Sequence, residues 1–307
     1  MVFFSATEFS HEMNNSPQIE LAHLDHLWFQ VGGTLCNLTC HHCFISCSPK
    51  NRSFGFLSLD EVRARLEESA ALGVKEFYFT GGEPFLNPDL VPILVETLRY
   101  GPATVLTNGT VLKDEWLQAL AQAEAASIYS LEFRVSIDGF SPETNDPIRG
   151  DGTFERALRG LMKLVEFGFL PIITAVRTWP DERDSEVVGD FVRTLRAAGY
   201  DRPRLKILPT LRIGAEECRT HGYDVTERVT AEMLADYDQS QLVCHHSRIV
   251  TDRGVHVCPI LIESPDSILG QNLSDATRPF AIRHGACFTC YQFGAICSNA
   301  TGFSSSE

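Results

Sequence analysis

The chain has 307 residues, which is enough for one large domain and a smaller one. Hydrophobic residues make up 44% and charged residues 21%, as in an ordinary globular protein with a buried core. The formal net charge of −14 argues against binding nucleic acid or anionic membrane through a basic surface. No apolar run approaches the ~20 residues that cross a bilayer, and residues 1–17 lack a secretory signal pattern. We therefore expect a cytoplasmic protein.

Six apolar runs alternate with helical patterns after an irregular polar segment, residues 1–25, which we expect to be a flexible or loosely docked arm. The predicted strands cover residues 27–31, 77–80, 103–107, 132–137, 170–176 and 205–208. The first predicted helix begins at the Ser58–Glu61 capping box and ends near Gly73. The second begins at Asn87–Pro88 and directs Val91, Leu94, Val95 and Leu98 inward. Three further helices are predicted at residues 114–125, 154–167 and 185–198.

Repeated βα units of this kind predict an α/β fold with a parallel sheet. Open doubly wound sheets share the pattern, and six units fit a partial (β/α)6 barrel of the TIM type, with its chemistry at the carboxyl ends of the strands. The alternation stops near Thr210, and short strands, turns and cysteines follow. We place the barrel at residues 26–209 and a small cysteine-rich domain at residues 210–307.

Ten cysteines in a chain without an export signal favour metal or redox chemistry over disulfides. Cys36, Cys40 and Cys43 form a C-x3-C-x2-C loop directly after the first strand. Three thiolates on one loop can bind three irons of a [4Fe–4S] cluster and leave the fourth iron open to a small molecule. Structural zinc is the alternative. If Cys47 were a ligand of the fourth iron, no iron would remain open to a small molecule. We expect Cys47 instead to be a buried thiol near the site.

This loop resembles the signature of the radical S-adenosylmethionine (SAM) family, in which SAM binds the open iron. Four further segments, within residues 27–180, follow the family's order. The resemblance implies that the segment Gly81, Gly82, Glu83 and Pro84 contacts the methionine amino group of SAM, and that Asn108 belongs to the next strand-end segment. It also implies that Ser136 and Asp138 lie near the ribose or carboxylate and that Arg177 pairs with the carboxylate. His42 is implied to lie against the adenine. Asp146–Gly150 resembles another family segment, with Asn145 where the family often has histidine.

A second group of cysteines lies near the C-terminus. Cys244 and Cys258 flank a predicted hairpin of residues 249–251 and 255–257, and Cys287-x2-Cys290 supplies two more thiols from one tight loop. Two such pairs can hold a cluster or zinc. The C-x9-G-x3-C spacing resembles the SPASM and Twitch extensions of the family. That resemblance implies one auxiliary cluster, expected to be [4Fe–4S], bound by these four cysteines with Cys297 as a competitor.

The resemblance implies an enzyme that cleaves SAM reductively to a 5′-deoxyadenosyl radical and abstracts hydrogen from its substrate. The auxiliary cluster would accept an electron, anchor the substrate or give up sulfur, and a flavodoxin or ferredoxin would donate the electron. Only about 25 residues precede the first strand, which favours a small molecule, such as a natural-product or cofactor intermediate, over a peptide. A non-enzymatic iron–sulfur carrier or sensor is the alternative class, and it would not need the segments near Glu83, Asn108 and Ser136.

Overall fold

The computed structural model describes residues 16–294 and residue 296, and its strands and helices alternate over most of that length. The strands are β1 (Gln18–Ile19), β2 (His26–Phe29), β3 (Glu76–Phe79), β4 (Ala103–Thr107), β5 (Leu131–Ser136), β6 (Ile172–Val176), β7 (Arg204–Leu208), β8 (Ser247–Thr251), β9 (Gly254–His256), β10 (Ile268–Gly270) and β11 (Phe280–Ala281). The helices are α1 (Leu59–Leu72), α2 (Leu90–Thr97), α3 (Asp114–Ala125), α4 (Pro142–Arg149), α5 (Thr153–Glu166), α6 (Asp184–Ala197), α7 (Ala215–Thr220) and α8 (Gly285–Phe293). Of the helices in the described part, none is long and apolar enough to cross a membrane.

The six predicted strands correspond to β2–β7, and each pairs in parallel with the next one in the chain. The sheet order is β10-β9-β8-β2-β3-β4-β5-β6-β7, so the sheet is open, with β10 and β7 at its edges. This confirms the predicted α/β class and the partial barrel. Because all these strands run the same way, their carboxyl ends lie at one mouth, where the loops that follow them meet.

The C-terminal segment continues this same sheet. Strand β8 pairs in parallel with β2, and β8 and β9 form the predicted antiparallel hairpin. Strand β10 then adds to β9. One sheet therefore spans the proposed boundary near residue 210, and the division of the chain into two domains at that point stays a prediction.

Residues 16–25 of the predicted arm run along the C-terminal segment. Strand β1 pairs antiparallel with β11, and the backbone N–H of Ala22 donates to His245 O at 2.9 Å. The backbone N–H of Asp25 donates to His246 O at 3.0 Å. The remainder of the arm, residues 1–15, lies outside the described residues.

Helix boundaries follow the local signals in α1 but not in α2. Helix α1 has the predicted capping box between Ser58 and Glu61 and ends at Gly73 with a φ of +72°. Helix α2 begins at Leu90, and its buried residues are Leu90, Ile93, Leu94 and Thr97. The prediction that Val95 faces inward is wrong, because it is 40% exposed. It lies about 100° around the helix from Leu94, beyond the buried face.

A close contact between α5 and the loop after β4 fixes the mouth of the barrel. A Cβ atom added to Gly160 would lie 1.8 Å from the carbonyl oxygen of Gly109. Glycine at position 160 therefore lets the helix backbone touch the loop, at the cost of lower helix propensity. The loop, residues 107–110, carries Asn108 of the predicted site.

We predict that Gly160→Ala destabilises the protein by about 1–3 kcal/mol, because the added methyl group must displace the loop backbone. Gly189→Ala in α6 is the matched control, since its nearest neighbour would be a flexible Arg193 side-chain atom at 3.5 Å. That control should gain up to about 1 kcal/mol from helix propensity. Urea denaturation of both variants measures the difference. Equal effects in the two variants would contradict the close contact.

Candidate functional site

The cysteine loop lies at the mouth of the barrel, directly beyond β2. The backbone N–H of Cys36 donates to Ser48 O at 3.1 Å, which closes the loop on itself. Cys36, Cys40 and Cys43 line one wall of a cavity of about 230 Å³. The structure thus brings the three thiols of the predicted motif to one space at the carboxyl ends of the strands.

The sulfur atoms of the loop accept hydrogen bonds that favour thiolates. Cys36 Sγ accepts from the backbone N–H of Leu38 at 3.4 Å and from Asn108 Nδ2 at 3.7 Å. Cys43 Sγ accepts from the backbone N–H of Cys47 at 3.3 Å. Burial still raises the pKa of Cys36 to about 12, whereas hydrogen bonding from Cys47 lowers the pKa of Cys43. Cys47 is itself buried, as expected.

Gly81 and Gly82, which follow β3, touch the chain that leads into the cysteine loop. A Cβ on Gly82 would lie 2.0 Å from Leu35 O, and one on Gly81 would lie 2.6 Å from the Gly32 backbone. The backbone N–H of Gly82 donates to Gly33 O at 2.9 Å. Both glycines also line the cavity. The absence of side chains at these positions therefore lets the end of β3 hold the chain just before Cys36.

Glu83 lies behind the cavity wall and is fully buried. Its carboxylate accepts from the Thr107 hydroxyl at 2.7 Å and from the backbone N–H groups of Asn108 at 2.8 Å and Phe85 at 3.1 Å. Burial raises the pKa of Glu83 to about 7. Pro84 is buried at the start of a short 3-10 helix. Through these hydrogen bonds, Glu83 holds the loop after β4 in place.

Asn108 connects that loop to the cysteine loop. Its Nδ2 donates to Asn37 Oδ1 at 2.9 Å, and Asn37 Nδ2 donates to the Thr110 hydroxyl at 2.8 Å. Asn108 Oδ1 accepts from the backbone N–H of Thr110 at 2.9 Å. Asn108 also lines the cavity. The side chain is therefore held at the cavity wall by bonds from two loops.

Asp138, just beyond β5, binds two cavity-lining side chains. His42 Nε2 lies 2.6 Å and Arg149 Nε lies 2.5 Å from Asp138 Oδ2. Burial alone would raise the pKa of Asp138, but Arg149 and His42 outweigh it and hold that pKa well below its usual range. His42 Nδ1 is buried and has no hydrogen-bond partner among the described residues. A ligand in the cavity could satisfy this atom.

The structure brings Ser136 to the cavity but places Arg177 elsewhere. Ser136 ends β5 and lines the cavity wall. Arg177 Nη1 lies 2.8 Å from Asp181 and Nη2 lies 2.8 Å from Asp184. Arg177 would have to leave both carboxylates to reach a cofactor in the cavity.

Sequence reasoning missed two arginines of the cavity wall, Arg134 and Arg149. Arg149 Nη1 lies 4.0 Å from Cys40 Sγ, so it places positive charge beside the cysteine loop. Arg134 lies within β5, and its guanidinium carbon is 5.3 Å from the Tyr78 ring centroid. A charged residue between the apolar Phe133 and Val135 of a buried strand was the available signal for Arg134. Arg149 belongs to the Asp146–Gly150 segment, which was noted without assigning this side chain.

The C-terminal thiols also meet in one place. Cys244, Cys258, Cys287 and Cys290 are buried and line a second, small apolar cavity. Cys287 and Cys290 lie on α8, so the prediction of a tight loop there is wrong. A spacing of three residues puts both thiols on one face of a helix. Cys297 lies outside the described residues.

No group of three or more His, Cys, Asp or Glu side chains within residues 16–294 and 296 is arranged to hold a metal ion. Tetrahedral zinc would need its sulfur ligands about 2.3 Å from one point. Cysteines around a [4Fe–4S] cube each bind a different iron, so they stand farther apart. Burial raises the pKa of Cys290 to about 12 and also raises that of Cys258.

Three known proteins show what the chain resembles. The AdoMet-dependent heme synthase of Methanosarcina barkeri is 37% identical over 163 residues, 51% of this chain and 42% of that protein. Mycofactocin maturase MftC of Mycobacterium ulcerans is 31% identical over 249 residues, 79% of this chain and 61% of that protein. The chain therefore spans less than two thirds of each of these relatives. The structure of native anSMEcpe with bound AdoMet has a TM-score of 0.61 at 16% identity, covers 88% of this chain and 83% of that one, and supports the fold alone.

A family model gives the assignment. The model described as the Radical SAM superfamily matches residues 31–205, which is more than half of the chain. The matched range includes the cysteine loop, β3–β6 and the first two residues of β7. On this match, the chain belongs to the Radical SAM superfamily.

Proposed function

We propose that this chain is an enzyme that holds a [4Fe–4S] cluster through Cys36, Cys40 and Cys43, with SAM beside the cluster. When bound and reduced by one electron, this pair supplies a 5′-deoxyadenosyl radical that takes hydrogen from an unreactive C–H bond. The observation that carries the proposal is that all three thiols line a single cavity at the mouth of the barrel. A flavodoxin or ferredoxin is the proposed electron donor.

The residues around the cavity suit a charged, polar cofactor. We propose that His42, held by Asp138, lies against the adenine, and that Ser136 and Asn108 contact the ribose and the methionine end. Two observations support this arrangement. His42 Nδ1 has no hydrogen-bond partner among the described residues, and Ser136 lines the cavity. Arg149, rather than Arg177, has its positive charge at the cavity and beside Cys40.

The remaining wall is largely apolar. It includes Trp28, Phe44, Leu106, Val176, Leu208 and Leu211. Such a wall excludes water and favours the hydrophobic part of a substrate. The protein's own contribution is therefore to orient the substrate and keep its C–H bond in a dry site.

We propose that the substrate is a small molecule, such as a natural-product or cofactor intermediate. The same cavity must also take the cluster and SAM, which supports a compact substrate over a long one. Arg134 and Arg149 line the wall, but each already lies near a carboxylate, Glu132 at 3.5 Å and Asp138 at 2.5 Å, so they favour a polar group on the substrate rather than a strongly anionic one. The similarity to a protein named AdoMet-dependent heme synthase agrees with a cofactor-type substrate.

A peptide substrate is the second candidate. It is favoured by the similarity to mycofactocin maturase MftC, which extends over 79% of this chain. Mass spectrometry of cell extracts incubated with the enzyme and SAM would separate the two, because a peptide product and a small-molecule product differ in mass range.

We further propose an auxiliary [4Fe–4S] cluster bound by Cys244, Cys258, Cys287 and Cys290, with Cys297 as the competing ligand. The shared cavity of the first four thiols supports this choice, because each ligand must reach one cube. The cluster would accept an electron, anchor the substrate or supply sulfur.

The central test is SAM cleavage. Protein reconstituted anaerobically with iron and sulfide and reduced with dithionite should convert SAM to 5′-deoxyadenosine, measured by liquid chromatography with mass spectrometry. Cys40→Ala should lower the rate at least about 100-fold, because one iron loses its ligand. Cys47→Ser is the matched control from the same loop and should stay within about tenfold of the parent.

Two results would count against the assignment. Parent protein with an intact cluster that forms no 5′-deoxyadenosine would favour the iron–sulfur carrier or sensor. If Cys47→Ser were as inactive as Cys40→Ala, Cys47 would be a fourth ligand, and no iron would remain open.

Iron content tests the second site. Two [4Fe–4S] clusters correspond to about eight irons per chain, and the double variant Cys287→Ala/Cys290→Ala should retain about four. Cys218→Ala is the control, because this exposed thiol lies outside both groups of cysteines and should leave the iron content unchanged. Loss of zinc instead of iron in the double variant would reject the auxiliary cluster.

The pH dependence of stability tests the buried carboxyl of Glu83. Its pKa is about 7 in the folded protein against 4.5 ordinarily, so the folded state binds a proton more tightly than the unfolded chain does between these values. Raising the pH through this window therefore costs stability, by about 3 kcal/mol in total. We expect the free energy of unfolding of the parent, relative to Glu83→Gln, to fall by this amount from about pH 4 to about pH 8 in urea titrations. Parallel curves would contradict the pKa assignment.

A further inference from the structure

A buried arginine lies between the barrel sheet and the C-terminal cysteines. Arg248 is in β8, opposite Leu27 of β2, and only 1% of its surface is exposed. Alternate residues of a strand share a face. Val250, two residues on, belongs to the same apolar core as Cys244 and Cys258, whereas Ile249 packs with Trp28 on the barrel side. The Arg248 side chain thus lies on the face that holds the cysteines.

Among residues 16–294 and 296, the hydrogen-bond partners of the Arg248 guanidinium are all backbone carbonyls. Nε donates to Ala276 O and Nη1 to Cys244 O and Ser247 O, each at 2.7 Å. Longer contacts reach Val257 O at 3.5 Å and Arg278 O at 3.4 Å. Within the described residues no carboxylate forms an ion pair with it. The N–H groups are therefore satisfied, but the positive charge is not neutralised by any acidic side chain there.

A buried guanidinium without a counter-charge is costly, because burial removes its hydration. Arginine stays charged even when buried, because its guanidinium is not deprotonated in proteins. The backbone oxygens of Cys244 and of Val257, the neighbour of Cys258, accept from Arg248 Nη1, and both cysteines belong to the core on this face. These two cysteines are therefore the nearby source of negative charge. As thiols their side chains are neutral and add no negative charge near the arginine, and as metal-bound thiolates they are anionic.

We propose that Arg248 is the built-in counter-charge of the cluster bound by Cys244, Cys258, Cys287 and Cys290, and that it raises the reduction potential of that cluster. This inference rests on the auxiliary cluster of the proposed function. A cube with four thiolates is an anion that gains another negative charge on reduction. A fixed cation beside it stabilises the reduced form more than the oxidised form. Arg248 is thus a positioning residue that acts on the cluster through charge.

The competing explanation is that Arg248 only joins backbone segments through its carbonyl bonds. Two substitutions separate charge from hydrogen bonding. Arg248→Gln keeps N–H donors but loses the charge, whereas Arg248→Lys keeps the charge and changes the donors. Arg278→Gln is the matched control, because Arg278 is an exposed arginine of the same region and water screens its charge.

The experiment uses the full chain with Cys36→Ala, Cys40→Ala and Cys43→Ala, so that only the auxiliary cluster gives a signal. A redox titration followed by electron paramagnetic resonance measures its potential. We expect Arg248→Gln to lower the equilibrium constant for reduction about tenfold, which is about 59 mV for one electron. Arg248→Lys and Arg278→Gln should stay close to the parent.

A second measurement uses thermal unfolding with and without the cluster. Cluster loading should raise the Tm less in Arg248→Gln than in Arg248→Lys, because only lysine compensates the anionic group. Equal potentials in the Gln variant and the parent would overturn the inference, as would failure of both Arg248 variants to fold, which would make the carbonyl bonds the essential feature. Absence of iron and sulfide from the unsubstituted Arg248 protein would instead reject the auxiliary cluster itself.

Discussion

The close backbone contact between the end of β3 and the chain before Cys36 is the constraint on which the candidate site depends. Gly82 approaches Leu35 so closely that a single methyl group would not fit. The same segment continues into Glu83, whose buried carboxylate holds the backbone N–H of Asn108. The ends of β3 and β4 are therefore tied together beside the chain that leads into the cysteine loop, where the three thiols line the cavity.

Buried charge is handled differently at the two groups of cysteines. Near the first, Asp138 balances the charge of Arg149 and also contacts His42. Near the second, the partners of Arg248 in the described part of the chain are carbonyls, so its balance would come from the thiolates themselves. In a low-dielectric interior such differences shift which oxidation state is favoured. The two proposed clusters would therefore differ in potential because of the side chains around them, in addition to their ligands.

Local patterns in the sequence predicted most of the barrel, because the spacing of apolar residues and the capping residues determine helices and strands over a few neighbouring positions. They did not predict that β8 pairs with β2, since that contact joins segments more than 200 residues apart and leaves no local mark. The cysteine spacing indicated the first site, whereas the contacts of Arg134 and Arg149 depend on side-chain direction within the folded mouth. Arg177 was identified from its position after a strand, but that position did not predict that its guanidinium binds Asp181 and Asp184.

The most direct measurement of an open iron is electron–nuclear double resonance on the reduced N-terminal cluster with SAM labelled at its amino nitrogen and carboxylate oxygens. The auxiliary site is best emptied by Cys287→Ala and Cys290→Ala, so that one cluster gives the spectrum. We predict hyperfine coupling from both labels, which requires that SAM chelate an iron. An intact reduced cluster without coupling to either label would contradict the proposed function.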